Sequence, residues 1–314
     1  MKKWGFLLLA LLILTLFSIY LFIPSKIVIS NITFAEATIN GEFRYINQEG
    51  QWEKWWHDTN GKAHIKGEPF TYNGSVFRLT KQINNVVGIE IEQDGKIWQS
   101  VILLFSLSTD STGAHWRCEI PAGNSPIKRI MSYRNAVRIK SNMTGVMKNF
   151  STFISNPQNI YGIHIYRTST RDTAMLSARF KSQAYPITAE LYSYFDKVEK
   201  AILKQKGKVT GFPMMNVRKM EDGSFETQVA IPTNHVLEND GKILFRRMVP
   251  GNFICTDVRG GTFTVNDAMN QLDLFISEYH KSRMANTFQS LVTNRINEPD
   301  TQKWITKIYI PVVE

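Results

Sequence analysis

The residues able to do acid–base or metal chemistry are thinly spread along this chain. The six histidines, His57, His64, His115, His164, His235 and His280, stand apart. None has an i, i+4 or His-x-His partner, so their spacing supplies no metal site. His57-Asp58 is a lone adjacent pair, which is thin support for general acid–base work. No Gly-rich phosphate loop and no Gly-x-Ser-x-Gly elbow occurs. Cys118 and Cys255 are the only thiols and read as ordinary strand residues. No cofactor is expected. What remains is binding chemistry: a tryptophan cluster at Trp52, Trp55 and Trp56, and an aromatic, alternating carboxy-terminal segment from Lys303 to Glu314.

The charge has a pattern too. The formal net charge is +10, and from Ile120 to Arg171 there is no Asp or Glu. The same stretch holds Lys128, Arg129, Arg134, Arg138, Lys140, Lys148, Arg167 and Arg171. A solvated basic face is one reading and anionic lipid headgroups are another. Nucleic acid is not expected, because no recognition-helix or base-stacking motif accompanies the charge. At the amino terminus, Lys2 and Lys3 precede an uncharged run from Trp4 to Ile23, closed by Pro24-Ser25-Lys26. The run is bulky to its end, without the small-x-small exit of a signal peptide. Residues 1–25 are therefore expected to be a single-pass membrane anchor, with the remainder extracytoplasmic by the positive-inside rule.

An α+β fold in two halves should position these groups. Residues 26–34 alternate as a strand, 35–46 read as a helix, and β-rich stretches follow at 70–80, 86–93, 96–109 and 114–120. Asp94-Gly95 marks a two-residue hairpin, and 142–155 carries a helical stripe. A strand, a short helical region with Trp-x-x-Trp, a meander and a long helix resemble the SRPBCC (START-like, polyketide-cyclase-like) helix-grip fold over residues 26–157. That resemblance implies an apolar cavity, with Trp52, Trp55 and Trp56 as candidate ligand contacts. Residues 158–170 are expected to be a linker.

Residues 171–314 read as two copies of one unit: the first a strand at 173–181, a helix and strands at 211–220 and 224–231, the second strands around 243–258, a helix and the closing strand. The first copy has a helix at 187–206, stopped by Gly207, with Leu191, Phe195, Val198 and Ile202 as its stripe. The second has a helix at 265–280 opened by a Thr264/Asp267 capping box, with Ala268, Leu272, Phe275 and Tyr279 as its stripe. Together with Thr210-Gly211-Phe212-Pro213, Ala230-Ile231-Pro232, Gly260-Gly261 and the closing Ile308-Tyr309-Ile310-Pro311, this resembles the GyrI-like (AraC-type effector-binding) domains. The family carries Thr-Glu-Ile-Tyr-Ile-Pro at the closing strand, its Glu facing the ligand; this chain has Lys307 there. The resemblance implies a small-molecule cleft lined by Tyr192, Phe212, Phe253, Trp304, Lys307 and Tyr309, with Tyr194 a further aromatic candidate. Glu226, Asp257 and Glu278 are acids that could reach it in space.

The expected function is capture of a lipophilic or amphipathic small molecule by a membrane-anchored, sensory or regulatory protein. Membrane lipids are a second partner, and no protein partner is assigned. The alternatives are a cyclase- or hydrolase-type enzyme using one of the two cavities, and an envelope protein-interaction module.

Overall fold

A computed structural model describes residues 2–170, 173–248 and 250–313. The chain divides into two compact units, Met1–Asn156 and Pro157–Glu314, both built on antiparallel sheets with helices.

The first unit opens with α1 (Lys2–Phe22) and β1 (Lys26–Ala35), followed by the short helices α2 (Ile39–Ile46) and α3 (Glu49–Trp52). Then come β2 (Phe70–Tyr72), β3 (Ser75–Ile83), β4 (Val86–Gln93), β5 (Lys96–Ser108), β6 (Ser111–Pro121) and the long α4 (Pro126–Ile154). The sheet order is β1-β6-β5-β4-β3-β2, antiparallel throughout. Asp94-Gly95 turns β4 into β5 with both residues at positive φ, as the dipeptide predicts. Asn73-Gly74 does the same between β2 and β3, so the stretch expected as one strand at 70–80 is a hairpin. The expected helix over 35–46 starts only at Ile39, because Thr38 caps it by accepting a hydrogen bond from the Gly41 N–H (3.1 Å).

Alternate residues of β5 and β6, among them Ile102, Leu104, Trp116 and Ile120, turn inward against the buried stripe Ile139, Met143, Val146, Phe150 and Ile154 of α4. The expected helix at 142–155 is only the second half of α4. Ser125 caps its true start, and none of residues 126–135 is buried.

Among the described residues no helix is long and apolar enough to cross a membrane. The anchor expected over residues 1–25 falls partly outside the described residues, which lack Met1 and several side chains between residues 2 and 9. The backbone of Lys2–Phe22 is helical.

The second unit comprises α5 (Pro157–Tyr161), β7 (Tyr166–Thr170), β8 (Thr173–Ser182), α6 (Thr188–Lys204), β9 (Met214–Lys219), β10 (Phe225–Pro232), β11 (Leu244–Met248), β12 (Gly251–Arg259), α7 (Thr262–Glu278), β13 (Ser282–Arg283), β14 (Phe288–Leu291) and β15 (Ile305–Val313). Residues 158–170 are thus not a bare linker but carry most of α5 and all of β7. The main sheet order, β11-β8-β10-β9-β14-β15-β12-β7, reads as two matching halves joined where β9 pairs β14. In that sense β8-α6-β9-β10 and β12-α7-β14-β15 are copies. Each outermost strand crosses over: β7, which precedes the first copy, pairs β12 of the second, and β11 pairs β8 of the first.

The helices show the same repeat, though not in the expected register. Both are 17 residues long. Both end in a Schellman turn with a non-glycine residue left-handed, Lys206 (φ 56°) and His280 (φ 50°). Gly207 and Lys281 then donate to Ile202 and Ile276. These ends align Leu191, Val198 and Ile202 with the buried Val265, Leu272 and Ile276. The expected alignment of Leu191 with Ala268 is one helical turn out, because Ala268 and Phe275 are buried as well and complete an equally regular stripe. The Thr264/Asp267 capping box is not formed; α7 starts at Thr262 behind Gly261.

Candidate ligand-binding cleft

Strand alternation sends one set of side chains of the second unit toward the helices and the other to the open face of the sheet. The helix side packs Leu176, Phe180, Leu191, Phe195, Val229 and Ile231 into a buried core. On the open face, Met175, Met214 and Ala230 form a small buried cluster with Met248 and Phe288 against it. Here the sheet carries a cleft of about 350 Å³.

Both copies contribute. β8, β9 and β10 supply Met175, Met214, Met215 and Ala230, while Phe253, Phe288 and Pro311 come from β12, β14 and β15. Met248 and Met284 close two of its edges. Four thioethers, of Met175, Met214, Met248 and Met284, and two phenyl rings make a deformable apolar lining, because unbranched, polarisable methionine side chains adapt to irregular shapes; the Met215 side chain points to the helix-side core. Polar groups are few: Asn216, Gln228, Asn252 and Asn286. The ionisable groups among the described lining residues are Arg246 and Arg247, both exposed on β11.

The sequence-predicted residues divide around this cleft. Phe253 lines it. Tyr309 stands directly behind, its ring stacked on Phe288 (4.9 Å between centroids, 9° between planes) and edge-on to Phe253 (6.0 Å). Burial, then the nearby Cys255 and Asp257, push the Tyr309 hydroxyl up, so it stays a neutral donor.

Lys307 shares the open face with Tyr309 but is not part of the lining. Its Nζ lies 3.3 Å from Oδ2 of Asp257, its cross-strand partner, and Asp257 also accepts the Tyr166 hydroxyl hydrogen (2.7 Å). Desolvation and that carboxylate raise the Tyr166 pKa. The register-equivalent pair in the other copy is Arg179 with Gln228, whose Nε and Oε1 are 3.2 Å apart. Lys307 is thus held in a local ion pair.

Tyr192 and Trp304 belong to the helix side. Tyr192 accepts the Arg295 N–H (2.8 Å) and Trp304 lies under the Arg295 guanidinium (4.6 Å). Arg295 itself is buried, donates to Thr306 (2.9 Å), and has its pKa lowered by desolvation. Tyr194 stacks on Phe180 (4.2 Å). Phe212 is half-exposed in the loop before β9 and is not in the lining. The three acids also lie off the cleft. Glu226 pairs with Arg218 (3.0 Å), Asp257 with Lys307, and Glu278 accepts the Tyr161 hydroxyl hydrogen (2.6 Å).

In the first unit, Trp52, Trp55 and Trp56 are fully buried, and each indole N–H is taken by a backbone carbonyl, of Ile46, Tyr45 and Thr71 respectively. Trp52 and Trp56 stack (5.4 Å, 11°), Trp55 meets Phe150 (4.8 Å) and Trp56 meets Phe77 (5.4 Å). These rings occupy the space between sheet and α4 where the helix-grip resemblance implied a cavity.

Both cysteines are buried, and burial pushes each thiol up to about 12, so neither is a thiolate at neutral pH. Among the described residues no cluster of His, Cys, Asp or Glu could hold a metal ion.

Sequence reasoning missed the methionines and the two arginines. The segment Leu-Phe-Arg-Arg-Met falls in the strands around 243–258 that the sequence assigns to the second copy, whereas it pairs with β8 of the first.

No protein-family model and no curated protein matches the chain. Several solved structures are similar to it. The C-terminal domain of EcmrR is 13% identical at a TM-score of 0.43, over 48% of this chain and 98% of that one. A hydrolase from Listeria innocua is 9% identical at a TM-score of 0.37, over 48% and 91%. SAV2435, in its complex with tetraphenylphosphonium, is 13% identical at a TM-score of 0.33, over 48% and 94%. These neighbours are GyrI-like, effector-binding folds, while the SRPBCC resemblance and the anchor find no support among them. All three likenesses lie below 25% identity and a TM-score of 0.5, so the function of this chain rests on its own side chains.

Proposed function

We propose that the chain is a membrane-anchored small-molecule-binding protein whose second unit takes an amphipathic anion into the methionine- and phenylalanine-lined cleft. The observation that carries this reading is the pairing of an apolar floor with Arg246, which stands across from Met175 on the open face, as the ionisable lining. A cleft of about 350 Å³ is within the range of small-ligand sites, where apolar burial supplies affinity and a few polar groups fix orientation. Guanidinium forks match carboxylates in shape and charge, so a ligand with an apolar body and one anionic head suits both halves of the lining. A single-pass α1 would hold this unit next to a bilayer on the extracytoplasmic side, where such amphiphiles concentrate. Sensing or regulation would follow from occupancy.

The test is calorimetric titration of the full chain in lipid nanodiscs, with empty nanodiscs as the blank. The probes are naphthoate and its cationic counterpart naphthylmethylammonium. Naphthoate is expected to bind at least about tenfold more tightly, ~1.4 kcal/mol. Arg246→Glu should reverse the order, and Ala230→Trp, filling the floor, should abolish both. Equal affinities, or binding untouched by Ala230→Trp, would sink the reading.

A further inference from the structure

A helix is explained by what its faces touch, and none of the first ten residues of α4 is buried. The core stripe of α4 begins at Ala136. Before it, Ile127 (72% exposed), Ile130 (42%) and Met131 (55%) stand in solvent, as does Val137 (53%) just beyond. At 100° per residue these four fall on the side opposite Ile139, Met143 and Phe150. A helix that buries one face on its own sheet is thus apolar on the other face at its amino-terminal end only. Arg134 and Arg138 lie on that outward face between the apolar side chains. Arg138 is held by Asp94 (2.9 Å), whereas Arg134 has no ion pair among the described residues. Alternating apolar and basic side chains on one helix face is the pattern of an interfacial helix on an anionic bilayer.

The same end of α4 is where α1 joins the unit. Tyr20 donates its hydroxyl hydrogen to the Asn124 carbonyl (2.7 Å). Arg129 donates to the Ile23 carbonyl (2.6 Å) and its guanidinium covers the Tyr20 ring (4.4 Å). The carboxy-terminal end of α1 is therefore fastened within one turn of the start of α4. Along α1, the consecutive residues Leu11, Leu12, Ile13 and Leu14 are each more than half exposed. Four successive residues sample every side of a helix, so no face of α1 there has a protein partner. A helix apolar all round needs an apolar surround, and lipid is one.

We propose that the first three turns of α4 are a second membrane contact. Ile127, Ile130, Met131 and Val137 enter the headgroup boundary of an anionic leaflet, and Arg134 pairs with its phosphates and carboxylates. This inference rests on the anchoring part of the function proposed above. Its consequence is orientation: the unit lies against the leaflet in one pose rather than swinging on Pro24.

The test uses the full chain with Ile130→Cys carrying a nitroxide, reconstituted in nanodiscs of phosphatidylcholine alone or mixed with phosphatidylserine. Both native cysteines are buried, so the label goes to position 130. In the mixed discs the nitroxide should become more accessible to oxygen and less to an aqueous nickel chelate. Arg134→Glu should reduce that docked signal about fivefold. A chain that enters the discs while its label stays water-accessible in both lipids overturns the contact and leaves the anchor standing. A chain that fails to enter overturns both. Protection that grows with protein concentration and ignores lipid charge also overturns the contact, and assigns the face to a second copy of the chain.

Discussion

Glu42→Gln should make the first unit more stable, and the gain should depend on pH in a defined way. Glu42 lies on α2, is 2% exposed, and its Oε2 has no hydrogen-bond partner. Desolvation is the main cause of its displacement, raising its pKa from 4.5 to about 7. The Thr112 hydroxyl, which is near enough to offset a little of that rise, makes no bond of full hydrogen-bonding geometry. Because the folded value lies above the unfolded one, the folded state holds a proton that the unfolded chain releases. Stability is therefore fullest below pH 4.5, falls as pH rises, and levels off above about 7. A displacement of that size corresponds to about 3 kcal/mol. A glutamine side chain keeps the shape of Glu42 without the charge, so the advantage of the variant should grow by about that amount across the same window. Urea unfolding followed by tryptophan fluorescence reads it, since five of the seven tryptophans, Trp52, Trp55, Trp56, Trp98 and Trp116, are buried in this unit. A variant-minus-native difference that stays flat from pH 4.5 to about 8 would refute the reasoning and mean that Glu42 is hydrated in solution.

Two further outcomes test the packing that carries the site. A Cβ added at Gly145, in the middle of α4, would come within 2.1 Å of the Tyr72 hydroxyl oxygen. Gly145→Ala should therefore cost ~1–3 kcal/mol despite the better helix propensity of alanine, and become stabilising by up to about 1 kcal/mol in a Tyr72→Ala background. Lys206 is exposed and left-handed at the end of α6. Lys206→Gly should stabilise the second unit by about 1 kcal/mol, read as slower hydrogen exchange of the amides in β8 and β10.

Local signals in the sequence reached the structure where chemistry and geometry are both short-range. Asp94-Gly95 makes the turn its residue types demand, and the apolar periodicity of Leu191, Phe195, Val198 and Ile202 is a helix face. They failed where a side chain answers to something outside its own element. The start of α4 was hidden because its outward apolar residues blur the single stripe that marks a packed helix. The register of α7 slipped by a turn because Ala268 and Phe275 are as buried as Val265 and Leu272, so two stripes fit equally. Strand alternation puts Lys307 on the same face as Tyr309, but no spacing rule tells that Asp257 sits across from it, since cross-strand register is a tertiary fact.

That register also explains why the charge of the cleft differs from what the closing strand suggests. The two copies put polar pairs at equivalent places on the open face, Arg179 with Gln228 and Asp257 with Lys307. In the second copy the cation faces a carboxylate and its field is largely neutralised there. The cleft draws its ionisable side chains from β11, a strand that precedes the second copy yet pairs with the first. Crossing over serves two ends. It gives the outer edge of β8 a hydrogen-bonded partner, and it carries Arg246 onto the face where the methionines of the first copy and the phenylalanines of the second meet. A repeat that kept its own strands would leave Arg246 beside β12 rather than across from Met175, its partner on β8. Under the proposed function, ligand charge preference would be set by which strand crosses, while the closing strand, with Tyr309 stacked behind Phe288, shapes the floor.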